Sequence, residues 1–359
     1  MSIPRICCLP PSHPLVAMTG TLSSPSQLLG KPLVQKTSIR DWALADMSSR
    51  NLAMGTIFLF QTIFGILGNF CFLHHYSLLY CSGYRLRRTD LIAKHLIAGN
   101  SLTLLCKGVP QTMATFELQD FLNDFGCKLL FYLHRMGRGV CIGSTCLLSI
   151  FQAITISPSN SRWAEMKVKA PNYIGLSISL CWLLSMLVNV IFPVYVTGNR
   201  RNDTIKKRKD FGYCSAKYHD RSADSLYAAL LSFPDALCLG LMLWASGSMV
   251  SILYRHKQRV QHIHRTSLSP RSSPESRATE TIRLLVSTFV SFYTVSSILQ
   301  VFLALLNNPS WWLVNTCAFI NTSFPTISPF VLMSCDPRVS RLFFSWLRNT
   351  KSRHRMRKL

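Results

Sequence analysis

The sequence predicts an all-α membrane protein, a seven-transmembrane helix bundle with a short interfacial helix after the seventh span. Composition supports this fold class, because 48% of the 359 residues are hydrophobic, only 15% are charged, and the mean hydropathy is +0.23. Charge placement supports it too. The formal net charge is +24, but the Lys and Arg residues lie mostly between long apolar runs rather than on one basic face. Nucleic acid is therefore not an expected partner.

The apolar run at residues 127–158 is the element around which the other spans are arranged. It is long enough to cross a bilayer as one tilted helix, which needs ~20 mainly apolar residues. It carries His134, Arg135 and Arg138. A charge at bilayer depth costs roughly 2.5–3.5 kcal/mol, so these side chains are expected to face protein or water. We predict that this helix lies in the middle of the bundle and lines a polar cavity.

The other spans are apolar runs separated by polar connectors. In chain order, the seven predicted spans are residues 54–80, 90–116, 127–158, 172–196, 225–254, 281–306 and 312–335. Pro110 is expected to kink the second span, because proline removes a backbone hydrogen bond. Gly65 and Gly68 permit close packing of the first. Asn69 and Asn100, at mid-bilayer in neighbouring spans, could hydrogen-bond to each other or to an ordered water.

Residues outside the spans complete a three-part organisation. Residues 1–53 form an extracellular N-terminal tail that is expected to be disordered; it has no evident secretory signal, so the first span would act as its own insertion signal. Residues 54–335 form the seven-transmembrane domain. Residues 336–359 form a cytoplasmic basic tail that begins with an amphipathic helix in the inner interface, where it would attract anionic membrane lipid.

The orientation follows from the connectors. Lys and Arg are more numerous on the side of the C-terminal tail, which predicts a multi-pass plasma-membrane protein with an extracellular N-terminus and a cytoplasmic C-terminus. The glycosylation sequon at Asn202 lies in the long connector between the fourth and fifth spans, and its use requires this connector to be outside. A disulfide at Cys214, in the same connector, would require the same.

The 13 cysteines contain no CxxC pair and no His/Cys spacing suited to a metal. Most of them lie inside apolar runs, where a free thiol behaves as a small hydrophobic group. This leaves Cys127 and Cys214, both beside polar connectors, as the plausible disulfide. The alternative is two free thiols. A bridge would tie the long outer connector over the mouth of the cavity.

The cations Lys107, His134, Arg135 and Arg138 lie in the outer halves of the second and third spans. One interpretation is a ligand pocket that accepts an anion, because guanidinium groups bind carboxylate or sulfate bidentately. The other is an internal ion pair with Asp235, which lies at a similar depth in the fifth span. The two interpretations are compatible, since a pocket wall can hold a salt bridge.

Catalytic signatures are missing from the sequence. It has no GxSxG, HExxH or phosphate-binding loop motif, and no acidic pair at a spacing suited to acid–base catalysis. We predict that the protein is not an enzyme and requires no cofactor.

Several sequence motifs resemble those of the rhodopsin-like G-protein-coupled receptors. They are Gly-x-x-Gly-Asn at residues 65–69, Cys127 at the start of the third span, Trp182 and Pro234. The departures are equally specific: Phe-Gln-Ala occupies residues 151–153 in place of the family's Asp-Arg-Tyr, Asn100 replaces the usual Asp, and Ser-Pro-Phe-Val-Leu at 328–332 replaces Asn-Pro-x-x-Tyr. The tryptophan and proline expected in the sixth span are absent.

This pattern resembles the vomeronasal type-1 receptors, a family of pheromone receptors. The resemblance covers residues 54–336. The matching stretches are residues 86–92 (LRRTDLI), 107–113 (KGVPQTM), 126–128 (GCK), 134–139 (HRMGRG), 147–153 (LLSIFQA), 211–214 (FGYC), 244–250 (WASGSMV) and 253–257 (LYRHK).

The resemblance implies a chemosensory receptor that binds a small-molecule chemosignal and couples to a heterotrimeric G protein of the inhibitory or Go type. Gln111, within the matched stretch 107–113, joins the cations and Asp235 as a ligand-binding candidate. A transporter or channel is the competing class; it predicts internal repeats, and the two halves of the chain have no convincing self-similarity. A non-functional receptor remnant is the third alternative.

Overall fold

The structure is a computed structural model, and it describes residues 31–81, 83, 88–116, 118, 122–157, 164–191, 193, 196–198, 208–210, 214–217, 221–263, 274–306 and 309–335. The chain divides into two compact units, residues 1–50 and 51–359. The predicted interfacial helix after the seventh span and the sequon at Asn202 lie outside the described residues.

Helices make up most of the described chain. In order they are α1 (Lys31–Cys81), α2 (Arg88–Thr103), a π-helical turn (Leu104–Gly108), α3 (Val109–Thr115), α4 (Asp124–Ile156), α5 (Ala164–Asn189), α6 (Arg221–Ile263), α7 (Pro274–Leu305) and α8 (Trp311–Cys335). Because α1 begins at Lys31, residues 31–53 are helical, whereas the sequence predicted disorder there. The stretch around Trp42 to Met47 contains good helix formers such as Ala, Leu and Met, which accounts for the difference.

Five helical segments in the described part of the chain are long and apolar enough to cross a membrane: Ser49–Cys81, Asp124–Ile156, Glu165–Asn189, Ser232–Ile252 and Val286–Leu305. They agree with five of the predicted spans. The segment from α2 to α3 is divided by the π-helical turn, and α8 carries buried polar residues such as Asn315, Asn321 and Ser328. These features explain why the remaining two predicted spans do not stand out by length and composition.

The π-helical turn lies where the sequence predicts a kink at Pro110. Proline lacks an N–H and its ring crowds the carbonyl of residue i−4, here Cys106. The backbone accommodates this by widening for one turn, and the N–H of Val109 donates to the carbonyl of Leu104, five residues earlier. Lys107 lies within this turn. Such turns occur often at functional sites.

The boundaries of α5 differ from the predicted fourth span at 172–196. The helix begins at Ala164 and contains Pro171, where the sequence had placed a connector. Proline is tolerated in membrane helices when the freed backbone groups find other partners. The helix ends at Asn189, and residues 196–198 belong to a strand instead.

A small antiparallel sheet follows α5, which the sequence did not predict. Its strands are β1 (Val196–Gly198), β2 (Arg208–Asp210) and β3 (Cys214–Lys217), in the spatial order β1–β3–β2. The strands are only three or four residues long, too short for a period-two pattern to be recognised. β1 contacts α4, so the sheet lies against the N-terminal part of that helix.

The helix α4 is central, as the sequence predicts, and packs against α2, α5, α6 and α7. Its approach to α2 is close because two glycines face each other. A Cβ atom on Gly137 would lie 3.0 Å from the carbonyl oxygen of Gly99 and 3.0 Å from Oγ1 of Thr103. The absence of side chains at both positions lets the two backbones meet.

The two mid-bilayer asparagines both bond to α8. The Nδ2 atom of Asn100 donates to Oγ of Ser328 at 2.7 Å. The Nδ2 atom of Asn69 donates to the carbonyl oxygen of Pro325 at 3.0 Å. That carbonyl loses its helical partner because Pro329, four residues later, has no N–H. The sequence had suggested a bond between the asparagines or to water, and the long-range packing of α8 explains the difference.

Candidate functional site

A buried ion pair lies at the centre of the bundle. The Nη2 atom of Arg138, on α4, is 2.7 Å from Oδ2 of Asp235, on α6, and the two side chains are only 3% and 8% exposed. Each charge alone would be costly at bilayer depth, and pairing is how such charges are accommodated. Of the two interpretations that the sequence left open, the internal ion pair is therefore present.

Polar side chains from two further helices surround this pair. The guanidinium of Arg138 also donates to Oγ of Ser297 at 2.8 Å, to Oγ of Ser296 at 2.8 Å and to Oδ1 of Asn321 at 2.9 Å. Ser297 donates in turn to Oδ2 of Asp235 at 2.7 Å. Because Ser296 and Ser297 lie on α7 and Asn321 lies on α8, one side chain joins α4, α6, α7 and α8.

Arg135 extends the network toward α5. Its Nε atom donates to Oδ1 of Asn189 at 3.3 Å, and its Nη1 atom donates to Oε1 of Gln300 at 3.0 Å. Gln300 then donates to Oδ1 of Asn321 at 2.8 Å. The second arginine is thus coupled to the first through two amide side chains. We call Arg135, Arg138, Asp235, Ser296, Ser297, Gln300 and Asn321 the central polar network.

Aromatic side chains form one wall of the network. The guanidinium carbon of Arg138 lies 4.8 Å from the centre of the Tyr293 ring, a cation–π distance. Tyr293 stacks on Phe289 with ring centres 4.1 Å apart, and Phe324 meets Phe289 edge-on at 4.6 Å. The arginine is therefore held between polar acceptors and a packed aromatic cluster.

The other predicted ligand-binding candidates lie near the network without joining the ion pair. His134 is buried beside the arginines on α4, and Lys107 is half-buried in the π-helical turn. The Nε2 atom of Gln111 donates to Oδ1 of Asn315, on α8, at 3.0 Å. Among the predicted ligand-binding residues, three buried atoms have no hydrogen-bond partner within the described part of the chain: Nδ1 of His134, Oε1 of Gln111 and Nε of Arg138. Each is a polar group that a bound molecule could satisfy.

A disulfide joins Cys127 and Cys214, the pair that the sequence predicts, with an S–S distance of 2.01 Å. Cys127 lies in the first turn of α4 and Cys214 begins β3, so the bond attaches the sheet to the end of the central helix. Both cysteines are buried against Ala114, Leu122 and Phe131. Arg138 lies eleven residues further along α4, about 16 Å down the helix axis.

Sequence reasoning missed the acceptors of the network. Ser296 and Ser297 on α7, and Asn189 on α5, gave no signal that pointed to the arginines. Gln300 and Asn321 did carry a usable signal. Polar side chains inside an apolar span need partners, and Gln300 and Asn321 are such residues. No group of His, Cys, Asp or Glu residues in the described part of the chain is arranged to hold a metal ion.

Comparison with known proteins identifies relatives along most of the chain. Residues 52–345 match the family described as the vomeronasal organ pheromone receptor family. The chain is 62% identical over 302 residues to vomeronasal type-1 receptor 4 of Pongo pygmaeus, an alignment that covers 84% of this chain and 100% of that protein. It is 60% identical over 302 residues to human vomeronasal type-1 receptor 2, covering 84% of this chain and 76% of the relative.

A more distant relative is found in a fish. The chain is 28% identical over 286 residues to olfactory receptor class A-like protein 1 of Danio rerio, which covers 79% of this chain and 90% of that protein. The region that matches the family, residues 52–345, includes every helix from α2 to α8 and leaves out residues 1–51.

Proposed function

This chain belongs to the vomeronasal organ pheromone receptor family, and from that membership we propose that it is a G-protein-coupled chemosensory receptor. In this proposal a small chemosignal binds in the outer half of the bundle and activates a heterotrimeric G protein of the inhibitory or Go type. The observation that carries the proposal is the central polar network, in which Arg138 joins four helices close to the unsatisfied polar atoms of His134 and Gln111.

The proposed ligand site consists of Lys107, Gln111, His134, Arg135, Arg138 and Asp235. These residues lie on the π-helical turn, α3, α4 and α6. Arg135, Arg138 and Asp235 belong to the central polar network, and the other three lie on the side of the network that faces the disulfide. The unsatisfied atoms of His134 and Gln111 suit a ligand with hydrogen-bonding groups, and the arginines and Lys107 favour a partial or full negative charge on it. The aromatic wall suits an apolar ligand body.

In the proposed mechanism, ligand binding changes the arrangement of the central polar network. A ligand shifts a conformational equilibrium only by its difference in affinity for two states. A ligand that competes for Arg138 or Arg135 weakens their bonds to α6 and α7, which frees these helices to move at the inner face. In rhodopsin-like receptors the arginine of the Asp-Arg-Tyr motif helps to hold the resting state. The neutral Gln152 occupies its position here, so in this proposal the central polar network supplies the contacts that hold the resting state.

For the membrane arrangement we propose seven spans. The five apolar helical segments are joined by α2 together with α3, and by α8, whose polar residues bond within the bundle and need not face lipid. The distribution of Lys and Arg favours an extracellular N-terminus and a cytoplasmic C-terminus. The Cys127–Cys214 disulfide agrees with an oxidising compartment at the start of α4. The basic tail would contact membrane lipid through its interfacial helix.

The test is a screen of small molecules on cells that express the chain together with a reporter of inhibitory G-protein activation. An agonist found in this way should require Arg138. We expect Arg138→Gln to reduce potency by about tenfold or more, because bonds to a charged group contribute about 1.5–3 kcal/mol. The matched control is Lys128→Gln on the same helix, since Lys128 is half-exposed and pairs with Asp124.

Surface staining of each variant separates signalling from expression. Equal potency of Arg138→Gln and the parent chain at equal surface level would contradict the proposed site. Ion or solute flux in the absence of G protein would contradict the receptor function and favour a transporter or channel. A chain that never reaches the surface would indicate a receptor remnant.

A further inference from the structure

A cavity lies far from the central polar network, toward the other end of α4. It has a volume of about 320 Å³ and lies between α2, α4 and α5. Its wall on α4 runs from Leu147 to Ile154. These residues are nine and sixteen positions beyond Arg138, or about 14 to 24 Å along the helix axis. The cavity therefore lies in the half of the bundle opposite the disulfide.

The cavity is lined by one face of each of two helices. On α4 the lining residues are 147, 150, 151 and 154, and on α5 they are 166, 169, 170, 173, 174 and 177. Both sets follow the three- and four-residue spacing of a single helix face. Ile92, from α2, also lines the cavity and is buried. Two small residues of α5, Ala170 and Ser177, leave the space between the helices open.

The mouth of the cavity opens on the outer surface of the bundle. Met166 and Tyr173 line it and are 49% and 57% exposed. Further along α5 the exposed residues include Leu176, Leu180 and Leu183, which form an apolar surface suited to lipid acyl chains. The cavity thus continues a lipid-facing helix surface, and its nearest available occupant in a membrane is an acyl chain.

The residues that line the cavity include one cation. Lys169 lines the cavity and lies in the second turn of α5, near the end where charged residues mark the membrane boundary. Its Nζ atom pairs with Oε1 of Glu165 at 2.6 Å, but this pair is largely exposed, with 62% and 77% of the two side chains accessible. Exposed pairs of this kind contribute about 0–1 kcal/mol, so the lysine can turn to a stronger anion.

We propose that this cavity is a binding site for an anionic phospholipid of the surrounding leaflet. One acyl chain occupies the space between α4 and α5, and the acidic head group contacts the ammonium of Lys169. Apolar walls with one cation at the membrane boundary match the two parts of such a lipid. The site is separate from the proposed chemosignal site and does not depend on it.

The experiment uses the full chain in phosphatidylcholine vesicles that contain a trace of photoreactive phospholipid, with the photoreactive group in the acyl chain. The head group of this probe is either phosphatidylserine or phosphatidylcholine, and labelled peptides are mapped by mass spectrometry. In the parent chain we expect labelling of residues 147–177 to be roughly fivefold higher with the serine probe. This factor corresponds to about 1 kcal/mol for one lysine near an anionic head group.

Two pairs of variants test the two halves of the site. Lys169→Gln should reduce labelling by the serine probe to the level of the choline probe, whereas Lys167→Gln, a neighbouring lysine that does not line the cavity, should not. Ala170→Trp should fill the cavity and abolish labelling by both probes. Val168→Trp is its matched control, because Val168 is 76% exposed and lies outside the lining.

Size-exclusion profiles and thermal midpoints of all variants check that each is folded. Labelling in the Lys169→Gln variant equal to that in the parent chain would overturn the head-group contact. Equal labelling by the two probes in the parent chain would overturn the preference for an anionic lipid. Unchanged labelling in Ala170→Trp, or labelling confined to other helices, would overturn the site itself.

Discussion

The guanidinium of Arg138 on α4 and the carboxylate of Asp235 on α6 form an ion pair at 2.7 Å inside a bundle of apolar helices. The two residues are 97 positions apart in the sequence, so the pair forms only when the fold is complete. Its partners on α7 and α8 make it the point at which four helices meet. This relationship makes the ion pair important for stability as well as for the proposed signalling.

Removing either member of the pair should destabilise the protein strongly. Arg138→Gln and Asp235→Asn each leave a buried charge unpaired, which costs on the order of 3–5 kcal/mol. The double variant leaves no such charge. Its loss of stability should therefore be smaller than the sum of the losses in the two single variants, by roughly 0.5–3 kcal/mol. The thermal midpoints of the four proteins in detergent measure this coupling. Strictly additive losses would show that the two side chains do not interact.

The disulfide should stabilise the folded protein by a similar free energy, but through a different mechanism. It joins residues 87 positions apart, and cross-linking a loop of this length stabilises by about 4–5 kcal/mol in the chain-entropy account. Cys127→Ala, Cys214→Ala and the double variant should lower the thermal midpoint by similar amounts, because each removes the same bond. Cys71→Ala, at an exposed free cysteine, is the control and should leave the midpoint unchanged.

Because α2 and α4 approach closely, we expect that adding one methyl group at Gly137 destabilises the protein. Gly137→Ala would place a Cβ atom 3.0 Å from the carbonyl oxygen of Gly99, and separating the helices should cost about 1–3 kcal/mol. Gly175→Ala on α5 is the matched substitution, since no atom lies within 4 Å of its Cβ position. It should be neutral or should stabilise by up to about 1 kcal/mol. Equal effects at the two positions would mean that helix separation is not the cause.

The seven-span arrangement predicts where inserted glycosylation sequons are used. Acceptor sites placed in the connectors near residues 118–123 and 307–310 should be glycosylated, as should the native Asn202. Sites placed near 83 and within 264–273 should not be. The shift in electrophoretic mobility after glycosidase treatment reads out each position, and Asn202→Gln is the control for the native glycan. Use of a site near residue 83 would contradict the proposed orientation of α1 and α2.

Two pairs of residues that sequence analysis singled out by their chemistry meet in the structure. Cys127 and Cys214 were recognisable because they lie beside polar connectors, whereas most other cysteines lie inside apolar runs; the two form the disulfide. Arg138 and Asp235 were recognisable because a charge inside an apolar span needs a partner. These inferences succeed because they depend on residue type and position along the span rather than on which helix faces meet.

Features that depend on helix packing were not predictable in the same way. The sheet at β1–β3, the start of α5 at Ala164 and the π-helical turn before Pro110 depend on how the backbone satisfies its hydrogen bonds in the folded bundle. The partners of Asn69 and Asn100 on α8 are more than 200 residues away in the chain. Local propensity contains no information about such contacts.

Apolar length, charge placement and the family-specific motifs were thus readable from the residue order alone, because hydrophobic transfer and the cost of a buried charge act on each segment independently. The tertiary structure decided which side chains complete the central polar network, and which faces of α4 and α5 leave a cavity between them. Those outcomes follow from the close approach of helices that glycine permits and from hydrogen bonds between distant segments, which exist only once the bundle is assembled.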